Sequence, residues 1–106
     1  MNNSTQIIKV AAALASLGHE ARLSVFQHLV RAGHDGMNVG EIGEQLDLPA
    51  STLSHHLKAL VQAGLVIQEK RGREVFNRPD FEIMANVTAF LSKECCVGVE
   101  LKASAA

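Results

Sequence analysis

Ala50-Ser-Thr-Leu-Ser-His-His-Leu-Lys-Ala-Leu60, continued by Val61-Gln-Ala-Gly-Leu-Val66, is the stretch on which the fold turns. On a helix, Leu53, Leu57, Leu60 and Val61 share one face at the i, i+4, i+7, i+8 spacing. The other side carries Ser51, Thr52, His55, Lys58 and Gln62, with Ser54 at its margin and His56 at the opposite edge of the apolar stripe. One side is made to pack. The other offers short polar donors and acceptors that reach base edges in a DNA major groove, the N-terminal residues best placed. Pro49 suits the first turn, where a missing N–H costs nothing, and Gly64 stops the helix.

Downstream, Leu65 to Glu69 and Glu74 to Asn77 read as two short strands, joined by a hairpin tip at Lys70-Arg71-Gly72-Arg73. Pro79 breaks the second strand. Asp80 caps a final helix from Phe81 to about Cys96, Gly98 closes it, and 99–106 forms a flexible tail behind a domain of residues 1–98. Upstream, Asp47-Leu48-Pro49 is a turn. Before it, Asn38 and Glu41 form a capping box for a short helix with Val39, Ile42 and Leu46 inward. His34-Asp35-Gly36 is another turn. Glu20 to Ala32 is a helix burying Leu23, Phe26, Leu29 and Val30, and Thr5 to Leu17 is a helix with Ile7, Ala11 and Leu14 on one stripe. Four helices, a hairpin and a last helix make a mainly α fold with a β-hairpin wing, the winged helix-turn-helix layout.

Composition sets the bounds. A chain of 106 residues suits one domain, and 47% hydrophobic residues suffice for a core. With no Trp or Tyr, that core is aliphatic. A domain this small has much surface for its volume, so pairing with a second copy helps its stability. The net charge of −1 hides an asymmetry. From Ala50 to Pro79, Lys58, Lys70, Arg71, Arg73 and Arg78 outweigh Glu69 and Glu74 by +3, and the rest of the chain sums to −4. A basic segment on a neutral domain makes phosphate contacts. The apolar run Val10 to Leu17 is a poor secretion signal and far too short for a membrane span, so the expected location is cytoplasmic, with Cys95 and Cys96 as reduced thiols. Nucleophile-elbow, phosphate-loop and His-Glu-x-x-His patterns are all missing, which speaks against an enzyme and any enzymatic cofactor.

The run from Ala50 to Leu60, with Ala63-Gly-Leu-Val66, Lys70-Arg-Gly-Arg73 and the upstream Glu20-Ala-Arg-Leu-Ser-Val-Phe26, resembles the ArsR/SmtB family of winged-helix repressors over roughly Ala12 to Leu91. The resemblance implies a homodimer through the first and last helices. It also implies that the fourth helices lie in successive major grooves of operator DNA, and that an effector, often a metal or metalloid, releases the DNA. The DNA contacts then fall to Ser51, Thr52, Ser54, His55, His56, Lys58 and Gln62 of the helix and to Lys70, Arg71 and Arg73 of the wing.

The family's sensing patterns narrow the effector. One places Cys-x-Cys at the start of the third helix, and Asn38 to Glu44 holds no cysteine. Another binds zinc through Asp, His and Glu on the last helix, which here has no His. Glu94-Cys95-Cys96-Val97 instead resembles a subgroup responding to arsenic and antimony through vicinal cysteines. Trivalent arsenic and antimony are soft and thiophilic, which suits a thiol pair. That subgroup commonly has a third cysteine shortly downstream, and this chain has none. Adjacent Cα atoms lie about 3.8 Å apart, below the usual disulfide range, so a vicinal disulfide is strained and a bridging metalloid ranks ahead of a redox or persulfide switch. An effector-independent DNA-binding or protein-interaction module is the remaining reading.

Overall fold

A computed structural model describes residues 3–101. Its elements, in chain order, are α1 (Asn3–Leu17), α2 (Glu20–Ala32), a 3-10 turn (Gly33–Asp35), β1 (Met37–Asn38), α3 (Val39–Leu46), α4 (Ala50–Gln62), β2 (Val66–Arg71), β3 (Glu74–Pro79) and α5 (Phe81–Ser92). This is the expected winged helix-turn-helix. Among the described residues, no helix is long and apolar enough to cross a membrane.

Local chemistry sets the helix ends. The Asn38 side chain accepts from the Glu41 backbone N–H at 2.8 Å, and the Glu41 carboxylate accepts from the Asn38 N–H at 2.9 Å, so the capping box is formed in both directions. Asp47 takes the left-handed conformation, φ 53°, and turns the chain from α3 into α4. A Cβ on Gly43 would stand 3.2 Å from the Leu48 carbonyl oxygen, so the small residue lets that turn close. Asp80 caps α5 by accepting from the N–H groups of Glu82 and Ile83.

The core lies where α4 meets the rest. Leu53, Leu57 and Leu60 are buried against Val25 and Leu29 of α2, Ile42 of α3, Leu65 and Val66 at the start of the wing, Val10 and Ala13 of α1, and Val87 of α5. Each such leucine contributes about 1.5–3 kcal/mol by leaving water. The inward stripe of α4 therefore fixes which way its polar side faces.

Five expectations need correction, the last of them Leu23 of α2. First, the sheet has three strands in the order β1-β3-β2, because Met37 and Asn38 pair with Asn77 and Phe76. The fully buried Asn77 ties them together: its amide donates to the Met37 carbonyl at 3.2 Å and its oxygen accepts from Gln68 at 2.8 Å. Gly36 admits this close approach, since a Cβ there would lie 2.7 Å from the Asn77 carbonyl oxygen. Second, Pro79 does not break β3 early. It ends the strand, paired with Val66. Third, α5 stops at Ser92 rather than near Cys96: Lys93 is extended, and Glu94 and Cys96 have φ of 56° and 65°, which no helix continues through. Fourth, the Ile7–Ala11–Leu14 stripe of α1 is exposed. The helix packs inward through Val10, Ala13 and Ser16, whose smaller side chains allow close approach. Leu23 of α2 is exposed as well. Of the proposed tail, residues 99–101 are exposed and irregular, and 102–106 lie outside the described residues.

Candidate nucleic-acid interface and thiol pair

With its leucines turned inward, α4 presents Ser51, Thr52, Ser54, His55, Lys58 and Gln62 to solvent. His56 is the exception among the residues assigned to DNA. It is only 6% exposed, and its ring packs on that of His19, with centroids 5.0 Å apart. Its assignment to the DNA-facing set is corrected: it packs at the helix edge, against the junction of α1 and α2. His19 in turn caps α2, its Nδ1 accepting from the Ala21 N–H at 3.2 Å. The His56 Nδ1 is buried without a hydrogen-bond partner. Burial, then His19, Arg22 and His55, hold its pKa below the ordinary 6.5, so the ring is neutral near pH 7. Position 56 beside the apolar stripe was the only sequence signal, and His19, 37 residues away, was not legible as its partner.

The wing carries Lys70, Arg71 and Arg73, all exposed, around Gly72 at φ 64°. Two residues that motif reading passed over organise it. Glu69 accepts from Arg71 Nε at 3.0 Å and from Arg78 Nη1 at 2.6 Å, and the Arg71 guanidinium lies 4.5 Å over the Phe76 ring. The two guanidinium groups, Arg71 first, hold the Glu69 carboxyl below its usual range. Period-two alternation puts residues 69, 71, 76 and 78 on one face, which is how the cluster forms from pairs not adjacent in sequence.

Cys95 and Cys96 are both free and exposed. They stand on the turn after α5, and their sulfur atoms converge to 3.2 Å. A disulfide needs about 2.05 Å, so this is a pair of thiols. Among the described residues, no group of three or more His, Cys, Asp or Glu is arranged to hold a metal ion. The pair therefore supplies two ligands and no more.

Comparison with known proteins agrees with the helix-turn-helix fold. Residues 17–69, half of the chain, match the helix-turn-helix domain family. The helix-turn-helix-type transcriptional regulator YbzH of Bacillus subtilis, itself uncharacterized, is 30% identical over 91 residues, covering 74% of this chain and 91% of YbzH. A crystal structure of a possible transcriptional regulator for arsenical resistance superposes with a TM-score of 0.66 at 28% identity, covering 76% of this chain and 80% of that one. The homodimeric winged helix-turn-helix domain of Mb0332 from Mycobacterium bovis, a possible ArsR-family regulator, superposes with a TM-score of 0.68 at 19% identity, covering 96% and 97%. Regulators of this kind are not enzymes. The chain belongs to the helix-turn-helix transcriptional regulators, with the winged-helix fold of the ArsR family.

Proposed function

We propose that this chain is an operator-binding repressor that acts as a homodimer in the cytoplasm and lets go of DNA when trivalent arsenic or antimony bridges Cys95 and Cys96. The observation that carries the reading is the pairing of an exposed polar face on α4, fixed by the buried leucines behind it, with a cationic wing next in the chain. Ser51, Thr52, Ser54 and His55 are the residues for base edges, being nearest the helix N-terminus. Lys58, Gln62, Lys70, Arg71 and Arg73 are those for phosphates and groove walls.

Dimerisation rests on uncovered apolar side chains. Ile7, Ile8 and Leu14 of α1 and Leu91 of α5 are 40–69% exposed. A second copy packed on these helices removes them from water, and sets two recognition helices about one DNA turn, roughly 34 Å, apart.

The effector reading rests on the converging thiols. Soft thiolates favour arsenic and antimony over harder ions. With two sulfur ligands per chain, the third position falls to water, a small anion or the partner subunit. A monomethylated arsenical fills its own third position, so it competes well with arsenite. The test is fluorescence anisotropy with operator DNA under a salt titration, followed by arsenite addition. Steep salt dependence and release by arsenite support the reading. DNA binding insensitive to salt would refute the DNA-binding part, and operator complexes that survive saturating arsenite would refute the effector part.

A further inference from the structure

The wing is basic, yet its arginines are not equally available. On the face formed by residues 67, 69 and 71 of β2 and 74, 76 and 78 of β3, Arg71 sits directly across from Glu74. It does not pair with it. Glu74 accepts from the Asn38 side-chain amide at 3.3 Å, at the cap of α3. Arg71 turns instead to Glu69, two residues back on its own strand, and lays its guanidinium over Phe76. Arg78 reaches the other oxygen of the same carboxylate along the diagonal. One acid thus holds two arginines, and the cluster carries a single net positive charge. Lys70 and Arg73 have no ion pair among the described residues, so they meet DNA unconstrained.

A carboxylate beside a phosphate-binding strand is a cost to every DNA complex. It remains useful if it raises the cost of wrong complexes more than that of the right one. With Arg71 held at Nε by Glu69 and by the ring below, only its outer N–H groups are presented, in one direction. A phosphate that meets them there is bound. A phosphate displaced along the wing meets the Glu69 charge. Phosphate contacts fix the register of a protein on its duplex, so a constrained arginine beside an acid converts a non-specific contact into a register check.

We propose that Glu69 is a positioning residue of the wing: it holds Arg71 in one orientation and repels phosphates presented in any other register, so that it lowers affinity for random DNA more than for operator. The inference rests on the DNA-binding reading of the wing. Its exposed setting makes the pair worth little to stability, so variants at Glu69 fold.

The test compares Glu69→Gln, which keeps the shape and loses the charge, with wild type on operator and on random-sequence duplex over a range of salt, with thermal melting as the fold control. Glu69→Gln binds random DNA about tenfold tighter, with a salt slope steeper by about 0.9, the value of one further phosphate contact. Operator affinity changes less than threefold, so the ratio between the two falls. In an Arg71→Ala background, Glu69→Gln loses most of this effect, because the residue through which it acts is gone. Equal changes on both DNAs, an unchanged salt slope, or an undiminished effect without Arg71 would each overturn the proposal. A wild-type protein that binds neither duplex would refute the DNA-binding reading itself, which these outcomes do not.

Discussion

Helix α4 has three leucines buried behind it, whereas every described residue from Leu91 to Leu101, Cys95 and Cys96 included, is exposed. The first region is complete within one chain. Its core stripe fixes its rotation, and its polar side is presented whether or not DNA is there. The second region offers two sulfurs on a turn with positive φ at Glu94 and Cys96, and among the described residues no group of three His, Cys, Asp or Glu is arranged to hold a metal ion. On the proposed reading the difference separates recognition from sensing: the polar face of α4 is fixed by packing, and the thiol pair stands on an exposed turn.

That contrast is most easily broken at the core. Leu57→Ala empties a buried position, and a cost of about 2–5 kcal/mol is expected in urea or thermal unfolding, with DNA binding lost in proportion. Cys95→Ser on the turn is expected within about 0.5 kcal/mol of wild type in the same assay. Similar losses from both would show that the turn is packed and the contrast false.

On the reading side, Arg71→Ala combined with Arg73→Ala removes two cations that the proposed function assigns to DNA phosphates. The expected result is at least a tenfold loss of affinity for all sequences and a salt slope shallower by about 1.8. Replacing His55 or Ser54 shifts operator preference instead. A wing double variant with both affinity and slope intact would remove the wing from the interface.

A smaller effect comes from the paired histidines, which separate the two environments within one helix. His55 faces solvent, and His56 is buried on His19. Because the folded-state pKa of His56 is lowered, the unfolded chain binds the proton more readily. The stability that neutral His56 contributes is therefore present above about pH 6.5 and is lost as pH falls below it. Thermal melts from pH 8 to pH 5 are expected to show Tm falling at the acid end, and a shallower fall in His56→Gln. An unchanged acid limb in that variant would place the sensitivity elsewhere.

What was legible in the sequence was local. The Asn38–Glu41 box, the leucine spacing of α4, Gly72 at the hairpin tip and the Asp80 cap each involve residues within one or two turns, and each is formed. What depended on distant partners was not. Strand β1 exists because Asn77, some 40 positions on, hydrogen-bonds back to Met37, and no periodicity in two residues announces that. His56 was placed by its edge position, with nothing to reveal His19. The α1 stripe was read from its large residues, while burial followed its small ones. Of the site, the α4 face and the basic tip were readable from residue type and spacing. Glu69, passed over as an ordinary acid in a basic stretch, needed the strand register.

The most direct measurement is operator release. Wild type, Cys95→Ser and Cys96→Ser are bound to operator DNA under reducing conditions and titrated with arsenite while anisotropy is followed. The expected result is release of wild type, with both variants binding DNA about as tightly as wild type and staying bound throughout. Turning a mostly bound complex into a mostly free one takes up to about 5.5 kcal/mol of differential affinity. Normal release of either variant would contradict the assignment of Cys95 and Cys96 as the sensor.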